Sequence, residues 1–416
     1  MKPNLTDASR PVGRTPTGLR GRRPASRLMA ALPAACVSLA IAACAPSSSE
    51  ARAAGASTPS AVASSRVPGA RAELPRPTGP HAVGRTTLHL VDENRPDPWV
   101  PTAGPRQLMV SMYYPALPKT GGPAPYMTTE EARLLLQRKA PTTTVTPETI
   151  SATRTYAHTD ARPAHGRFPL VVLSPGLTLP RALLSGLAED LAGRGYVVAV
   201  VDHTYEAAGI TFPDGRTLAC VICDRPPAGG QPAIAESRAR DLTFVLDRLT
   251  GRHPAWPAAH MIDARHIGLA GHSISGDAAP VTMAADDRVR AGVNLDGTFY
   301  APVPTTGLHG RPFLLLGTSS IHSSGGDKDK TWDRDWPNLD GWKRWLTVTG
   351  ADHSSFTDGP ILSTLLGMPS ELPGSRALTI TRAYVGAFFD QHLKGEHRTL
   401  LDRPTSAYPE VTFQHG

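Results

Sequence analysis

Between residues 168 and 353 the chain repeats one rhythm: an apolar run of strand length, a polar break, then a stretch whose apolar residues recur every three or four positions. The runs are FPLVVLSPG (168–176), YVVAVVDH (196–203), HIGLAGHS (266–273), VRAGVNLDG (289–297), PFLLLGTSS (312–320) and RWLTVTGADH (344–353). Near-continuous Val, Leu and Ile signal strands covered on both faces. The intervening stretches read as helices. RALLSGLAEDLAGRG sets Leu183, Leu184, Leu187 and Leu191 on one face and stops at Gly195, and ESRARDLTFVLDRLTG does the same with Leu242, Val245, Leu246 and Leu249. This alternation predicts an α/β fold, with a mostly parallel central sheet and helices on both faces. Upstream, TTLHLVD and RQLMVSMYYPA alternate as antiparallel edge strands do. RALTITRAYVGAFFDQHLKG predicts a closing helix, and residues 121–165 hold one helix, EEARLLLQRKA, in an insertion suited to border a site.

The first 80 residues break the rhythm. Residues 1–27 carry seven basic groups against Asp7 and lead into LMAALPAACVSLAIAA (28–43), 16 residues interrupted by Pro33. A spanning helix needs about 20 apolar residues. A basic segment followed by a short apolar one reads as a signal peptide over residues 1–43. Its end, IAAC, resembles the lipobox of bacterial lipoproteins, which implies lipidation of Cys44; plain cleavage at the same small residues is the alternative. Residues 44–80 are mostly Ala, Ser, Pro and Gly, too poor in large apolar groups to offset the entropy of ordering, and read as a disordered tether. The folded domain is then residues 81–416. The expected location is outside the cytoplasm, on the extracellular face of the membrane as a lipoprotein, or secreted.

Charge adds little once it is located. The 416 residues carry 43 Lys plus Arg against 36 Asp plus Glu, but seven of the bases and one acid lie before Cys44, leaving 36 against 35. No basic stripe is left for a nucleic acid to bind. Of four cysteines, Cys36 lies in the apolar segment and Cys44 is the anchor candidate, so Cys220 and Cys223 in CVIC remain for the fold. In an exported protein a local disulfide is the simplest reading, ahead of a redox motif or a zinc site lacking its second ligand pair.

The chemistry is expected where strands end, because an open parallel sheet collects catalytic groups at the carboxyl ends of its strands. GHSIS, residues 271–275, ends one run at Ser273 and is followed by the helical SGDAAPVTMAAD. A serine hydroxyl needs an exposed, sharply turned position and a histidine to take its proton. The turn G-x-S-x-G demands small neighbours two residues either side of the serine; Gly271 supplies one, and Ser275 stands where glycine is usual, with Gly276 next. After the last strand, His353 in TGADHSSFTD supplies the base, with His322 the nearest rival one strand earlier. For the orienting acid, Asp296 ends a buried strand, whereas Asp327 and Asp329 lie in the polar GGDKDKTWDRDW, read as solvated surface. A fixed, shielded carboxylate holds one imidazole tautomer best, which favours Asp296. The oxyanion donors fall at the backbone N–H groups of Ile274 and Leu177, where Gly176 lets the chain come close.

These residues resemble a family, the α/β-hydrolases similar to plasma-type, monomeric platelet-activating factor acetylhydrolase and related bacterial secreted esterases. The blocks are RQLMVSMYYPA, PLVVLSPGL, LAGRGYVVAVVDHTYEA, GHSISG, NLDGTF and HSSFTD, in the family's order and spread over residues 80–400. The resemblance implies an α/β-hydrolase fold and a triad of Ser273, Asp296 and His353, the last heading an H-x-x-F-x-D pattern completed by Phe356 and Asp358. It also implies a serine carboxylic ester hydrolase that acts through an acyl-enzyme on short-chain acyl esters. No cofactor or metal is implied. The partner is a small ester or phospholipid-like substrate, met by a monomer that touches the membrane only through its lipid anchor. Secreted cutinase-like polyester hydrolases are similar too, but usually carry the aspartate one strand later; a secreted lipase or polyester hydrolase is the alternative among enzymes. A non-catalytic surface lipoprotein with a decayed triad is the alternative of another class.

Overall fold

The computed structural model describes residues 71–415 apart from Pro369, so the signal segment, Cys44 and the tether up to residue 70 lie outside the described residues. The strands, in chain order, are β1 (Ala82–Pro96), β2 (Pro105–Ala116), β3 (Gly122–Pro123), β4 (Ala157–Thr159), β5 (Phe168–Ser174), β6 (Val197–His203), β7 (Gly209–Thr211), β8 (Thr217–Ala219), β9 (Ile262–His272), β10 (Val289–Leu295), β11 (Phe313–Thr318), β12 (Lys343–Val348) and β13 (Val411–Phe413). Interleaved with them are α1 (Thr129–Lys139), α2 (Pro147–Ser151), α3 (Ser185–Gly193), α4 (Gly230–Thr250), α5 (Ile274–Ala285), α6 (Ser319–His322), α7 (Thr331–Asp335), α8 (Gly359–Leu365) and α9 (Gly374–Leu393).

The main sheet runs β13-β12-β11-β10-β9-β5-β6-β2-β1-β4-β3. The six strands from β12 to β6 are parallel, and β2 and β1 extend them antiparallel. This is the α/β-hydrolase fold. Successive residues of β5 serve opposite faces: Val171 and Leu173 join a core with Leu187 of α3 and Phe388 of α9, while Leu170 and Val172 join one with Leu242 of α4 and Met283 of α5. Two buried faces explain why the strand reads as an unbroken apolar run.

Two boundaries differ from the sequence reading. Residues 71–80, assigned by composition to the tether, belong to the fold: Ala72 and Leu74 are buried, Arg382 donates to the Pro75 and Arg76 carbonyls, and Thr78 bonds Asp190 at 2.8 Å. Small and proline residues suit a strap whose partners, such as Arg154, Asp190 and Arg382, lie 80 or more positions away, and composition cannot register such contacts. The insertion at 121–165 also holds more than α1, namely β3, β4 and α2. Strand β13, which pairs antiparallel with β12, has no long apolar run to announce it.

Candidate active site

Ser273 sits between β9 and α5 with φ 57° and ψ −127°, a backbone conformation that only a tightly determined turn holds. The tightness is steric. A Cβ on Gly271 would lie 1.9 Å from the Ser275 carbonyl oxygen, one on Gly276 2.1 Å from Asn294 Oδ1, and one on Gly297 2.2 Å from the Ser273 carbonyl oxygen. Glycine is therefore required at 276, one position beyond the usual motif, while the Ser275 side chain turns into a buried polar space beneath the elbow.

Asp296 follows β10, also in left-handed backbone at φ 55°. Asn294 shapes that corner by bonding the Gly297 N–H and carbonyl at 2.7 and 2.8 Å. The Asp296 carboxylate is buried; its Oδ1 accepts the Thr318 N–H at 2.7 Å and its Oδ2 meets His353 Nδ1 at 2.6 Å. Burial alone would raise its pKa, but the His353 hydrogen bond and the nearby His322 hold it below the ordinary carboxylate value. His353 heads a short 3-10 turn after β12, and its Nε2 lies 2.9 Å from Ser273 Oγ. Its side chain is 58% exposed, so the proton-accepting edge is open to a reactant. Phe356 packs in the core and Asp358 accepts the Gly186 N–H and the Tyr126 hydroxyl, which fastens the histidine loop to α3.

The remaining sequence candidates separate cleanly. His322 is buried, stacked on Trp332 with ring centroids 4.0 Å apart, and lies between Asp329, 3.4 Å from its Nδ1, and the far side of Asp296, whose Oδ1 is 3.5 Å from its Nε2. Asp327 is exposed. Asp329 is not solvated surface, as its polar neighbours suggested: it is buried, accepting from the Thr298 hydroxyl at 2.6 Å and the Thr331 N–H at 2.7 Å. Cys220 and Cys223 are joined as a disulfide, in a loop whose Val221 N–H bonds the Tyr205 carbonyl at 2.9 Å.

Leu177 follows β5 in a loop that lies against the elbow, since a Cβ on Gly176 would meet His272 Nδ1 at 2.7 Å and Ser273 Cβ at 3.0 Å. Ile274 is the first residue of α5, where N–H groups lack intrahelical partners. Neither the Leu177 nor the Ile274 N–H has an acceptor among the described residues. Above Ser273 and His353 opens a cavity of about 270 Å³, walled by Leu135 and Leu136 of α1, Ile150 of α2, Leu179, Leu362 and Leu366. The insertion thus supplies one side of the pocket.

Sequence reasoning missed His272. Its Nε2 donates to the His353 carbonyl at 2.7 Å and the two rings lie 4.7 Å apart. Burial, followed by the His353 charge, pushes its pKa down to about 3, so it supports the neighbouring histidine without competing for a proton. The cue lay in its position beside the serine. His203, Glu206 and Asp241 gather metal-type donor atoms, but the carboxylates already face guanidinium groups, Asp241 with Arg106 at 2.7 Å and Glu206 with Arg238 at 2.8 Å. That cluster does not fit a cation.

Known proteins share this arrangement of elements. A ferulic acid esterase from Streptomyces cinnamoneus superposes with a TM-score of 0.75 at 44% identity, covering 83% of this chain and 100% of that one. The chain is an α/β-hydrolase, similar to bacterial esterases and to the platelet-activating factor acetylhydrolases. The family model described as platelet-activating factor acetylhydrolase, isoform II, matches residues 69–217. A probable 1-alkyl-2-acetylglycerophosphocholine esterase of Arthroderma benhamiae is 29% identical over 380 residues, 82% of this chain and 93% of that protein. The platelet-activating factor acetylhydrolase of Cavia porcellus is 23% identical over 265 residues, 55% of this chain and 58% of its own. The chain is a carboxylic ester hydrolase.

Proposed function

We propose that the protein hydrolyses carboxylic esters through a covalent acyl-enzyme on Ser273. His353 Nε2 takes the Ser273 proton as Oγ attacks the ester carbonyl, and Asp296 holds the imidazole with Nδ1–H toward the carboxylate and stabilises the imidazolium that forms. The N–H groups of Leu177 and Ile274 receive the oxyanion. His353 then passes its proton to the departing alcohol, and a water activated by the same nitrogen releases the acid. The observation that carries this reading is the 2.9 Å approach of His353 Nε2 to Ser273 Oγ, with Asp296 2.6 Å from the other ring nitrogen.

The acyl group is short. The cavity lies near the lower end of the range for small-molecule pockets, and its apolar walls rest on a packed scaffold. Each buried methylene contributes about 0.8 kcal/mol only while there is room for it. A second reading, a single aromatic ring in the acyl pocket, is favoured by the ferulic acid esterase to which the chain is 44% identical. The test is a series of p-nitrophenyl esters beside methyl ferulate. The short-chain reading predicts a kcat/KM maximum between acetate and butyrate, at least about tenfold above decanoate. Faster turnover of the ferulate would transfer the assignment to aromatic acids, and a maximum at octanoate or longer would point to a lipase groove. An alkyl phosphonate should abolish all activity by labelling Ser273.

We further propose that residues 1–43 direct export and that Cys44 carries a lipid anchor, with the catalytic domain outside the membrane. Among the described residues no helix is long and apolar enough to cross one. A Cys44→Ser protein should leave the membrane fraction with its activity intact; continued membrane association would disprove the anchor.

A further inference from the structure

Ser275, the residue that departs from the glycine of the nucleophile motif, is wholly buried and its hydroxyl is fully engaged. It lies 2.6 Å from Ser174 Oγ and 2.8 Å from the Pro175 carbonyl, and it accepts from Arg238 Nη1, which also donates to the Pro175 carbonyl. The contacts continue as a closed ring. Ser174 Oγ is 2.8 Å from His203 Nε2, His203 Nδ1 is 2.8 Å from Asp241, Asp241 is paired with Arg106, Arg106 with Glu206 at 3.0 Å, and Glu206 with Arg238. Proton directions follow. Burial keeps His203 neutral, and Asp241 can only accept, so Nδ1 carries the His203 proton and Nε2 accepts from Ser174. Ser174 then accepts from Ser275, and Ser275 from Arg238.

The ring grips the loop that carries Leu177. Arg238 holds the Pro175 carbonyl on one side, where Ser275 donates to the adjoining Ser174; on the other, the Thr178 N–H bonds the Glu206 carbonyl and the Ala208 N–H bonds the Thr178 carbonyl, each at 2.8 Å. Ser275 also directly follows Ile274 in α5. One hydroxyl therefore couples the two chain segments that bear the proposed oxyanion donors. We infer that Ser275, backed by Arg238, is a positioning residue that sets the separation of the Leu177 and Ile274 N–H groups. This rests on the oxyanion hole proposed above. Glycine at 275 would leave the Arg238 fork and the Ser174 hydroxyl short of a partner, and the loop free to drift.

The experiment compares wild type, Ser275→Ala and Ser275→Gly on p-nitrophenyl butyrate, with the inhibition constant of an alkyl trifluoromethyl ketone, whose tetrahedral adduct occupies an oxyanion hole, and with thermal melts to establish folding. Losing an oxyanion donor costs 10²–10³ in kcat, so a displaced one should cost about 10- to 100-fold. The expected result is that loss in kcat, KM within about threefold, and ketone affinity weakened in step with kcat across the series. Ser275→Gly, which installs the family's usual residue, serves where Ser275→Ala does not fold. Folded variants with kcat and ketone affinity within twofold of wild type would overturn the inference, as would a rise in KM alone. Wild type that hydrolyses no ester and forms no phosphonate adduct on Ser273 would sink the ester-hydrolase reading and this strut together. Active wild type with unaltered variants would sink the strut alone.

Discussion

Asp296 Oδ2 lies 2.6 Å from His353 Nδ1, at the end of a strand that fixes the carboxylate out of solvent. An amide there would present a donor or a weaker acceptor and let the imidazole adopt the wrong tautomer. Asp296→Asn should lower kcat by about 10⁴ with the fold intact. Asp327→Asn, on an exposed residue, should stay within twofold. Equal losses, or the reverse ranking, in steady-state hydrolysis of p-nitrophenyl butyrate would move the orienting acid one strand later.

Gly176→Ala tests the close approach of the two loops. The added methyl group would meet the His272 ring, held between Gly176 and the His353 carbonyl, and the Ser273 Cβ, neither of which can swing aside cheaply. The loop must retreat and carry the Leu177 N–H with it. A displacement on the order of 1 Å costs about 10²-fold in rate. Kinetics should show that loss chiefly in kcat; unchanged kcat in a folded variant would mean that Leu177 gives nothing to the transition state.

Asp277, one turn into α5, predicts how stability varies with pH. Burial first of all pushes its pKa up to about 7, against the Ala301 and Tyr300 N–H groups that it accepts. The folded state thus binds the proton more tightly than the unfolded chain, whose value is about 3.9. The stabilisation is complete below that value and is lost as pH rises to about 7, with a slope of up to about 1.4 kcal/mol per pH unit. Asp277→Asn should gain on wild type between pH 4 and pH 8 in urea denaturation. A stability difference independent of pH would show that the carboxyl group ionises normally in the fold.

The sheet was legible because strands buried on both faces must be apolar at every position, as Leu170 to Leu173 are. The candidate triad was legible because its members stand at the carboxyl ends of such strands, in a fixed chain order. What escaped the reading depends on partners distant in sequence. Leu74 is held by Arg154, Asp329 by Thr298, and Ser275 by Arg238 and Ser174, none of them within a helical turn or a strand repeat. Gly276 was read as a mere neighbour of the motif, because only the packed structure brings Asn294 against it.

The covalent intermediate tests the account most directly. Acid quenching of the enzyme within milliseconds of mixing with p-nitrophenyl butyrate, followed by digestion and mass spectrometry, should find one butyryl group on the peptide containing Ser273, and none on that peptide in Ser273→Ala. A butyryl group on any other residue, or turnover at the wild-type rate in Ser273→Ala, would contradict it.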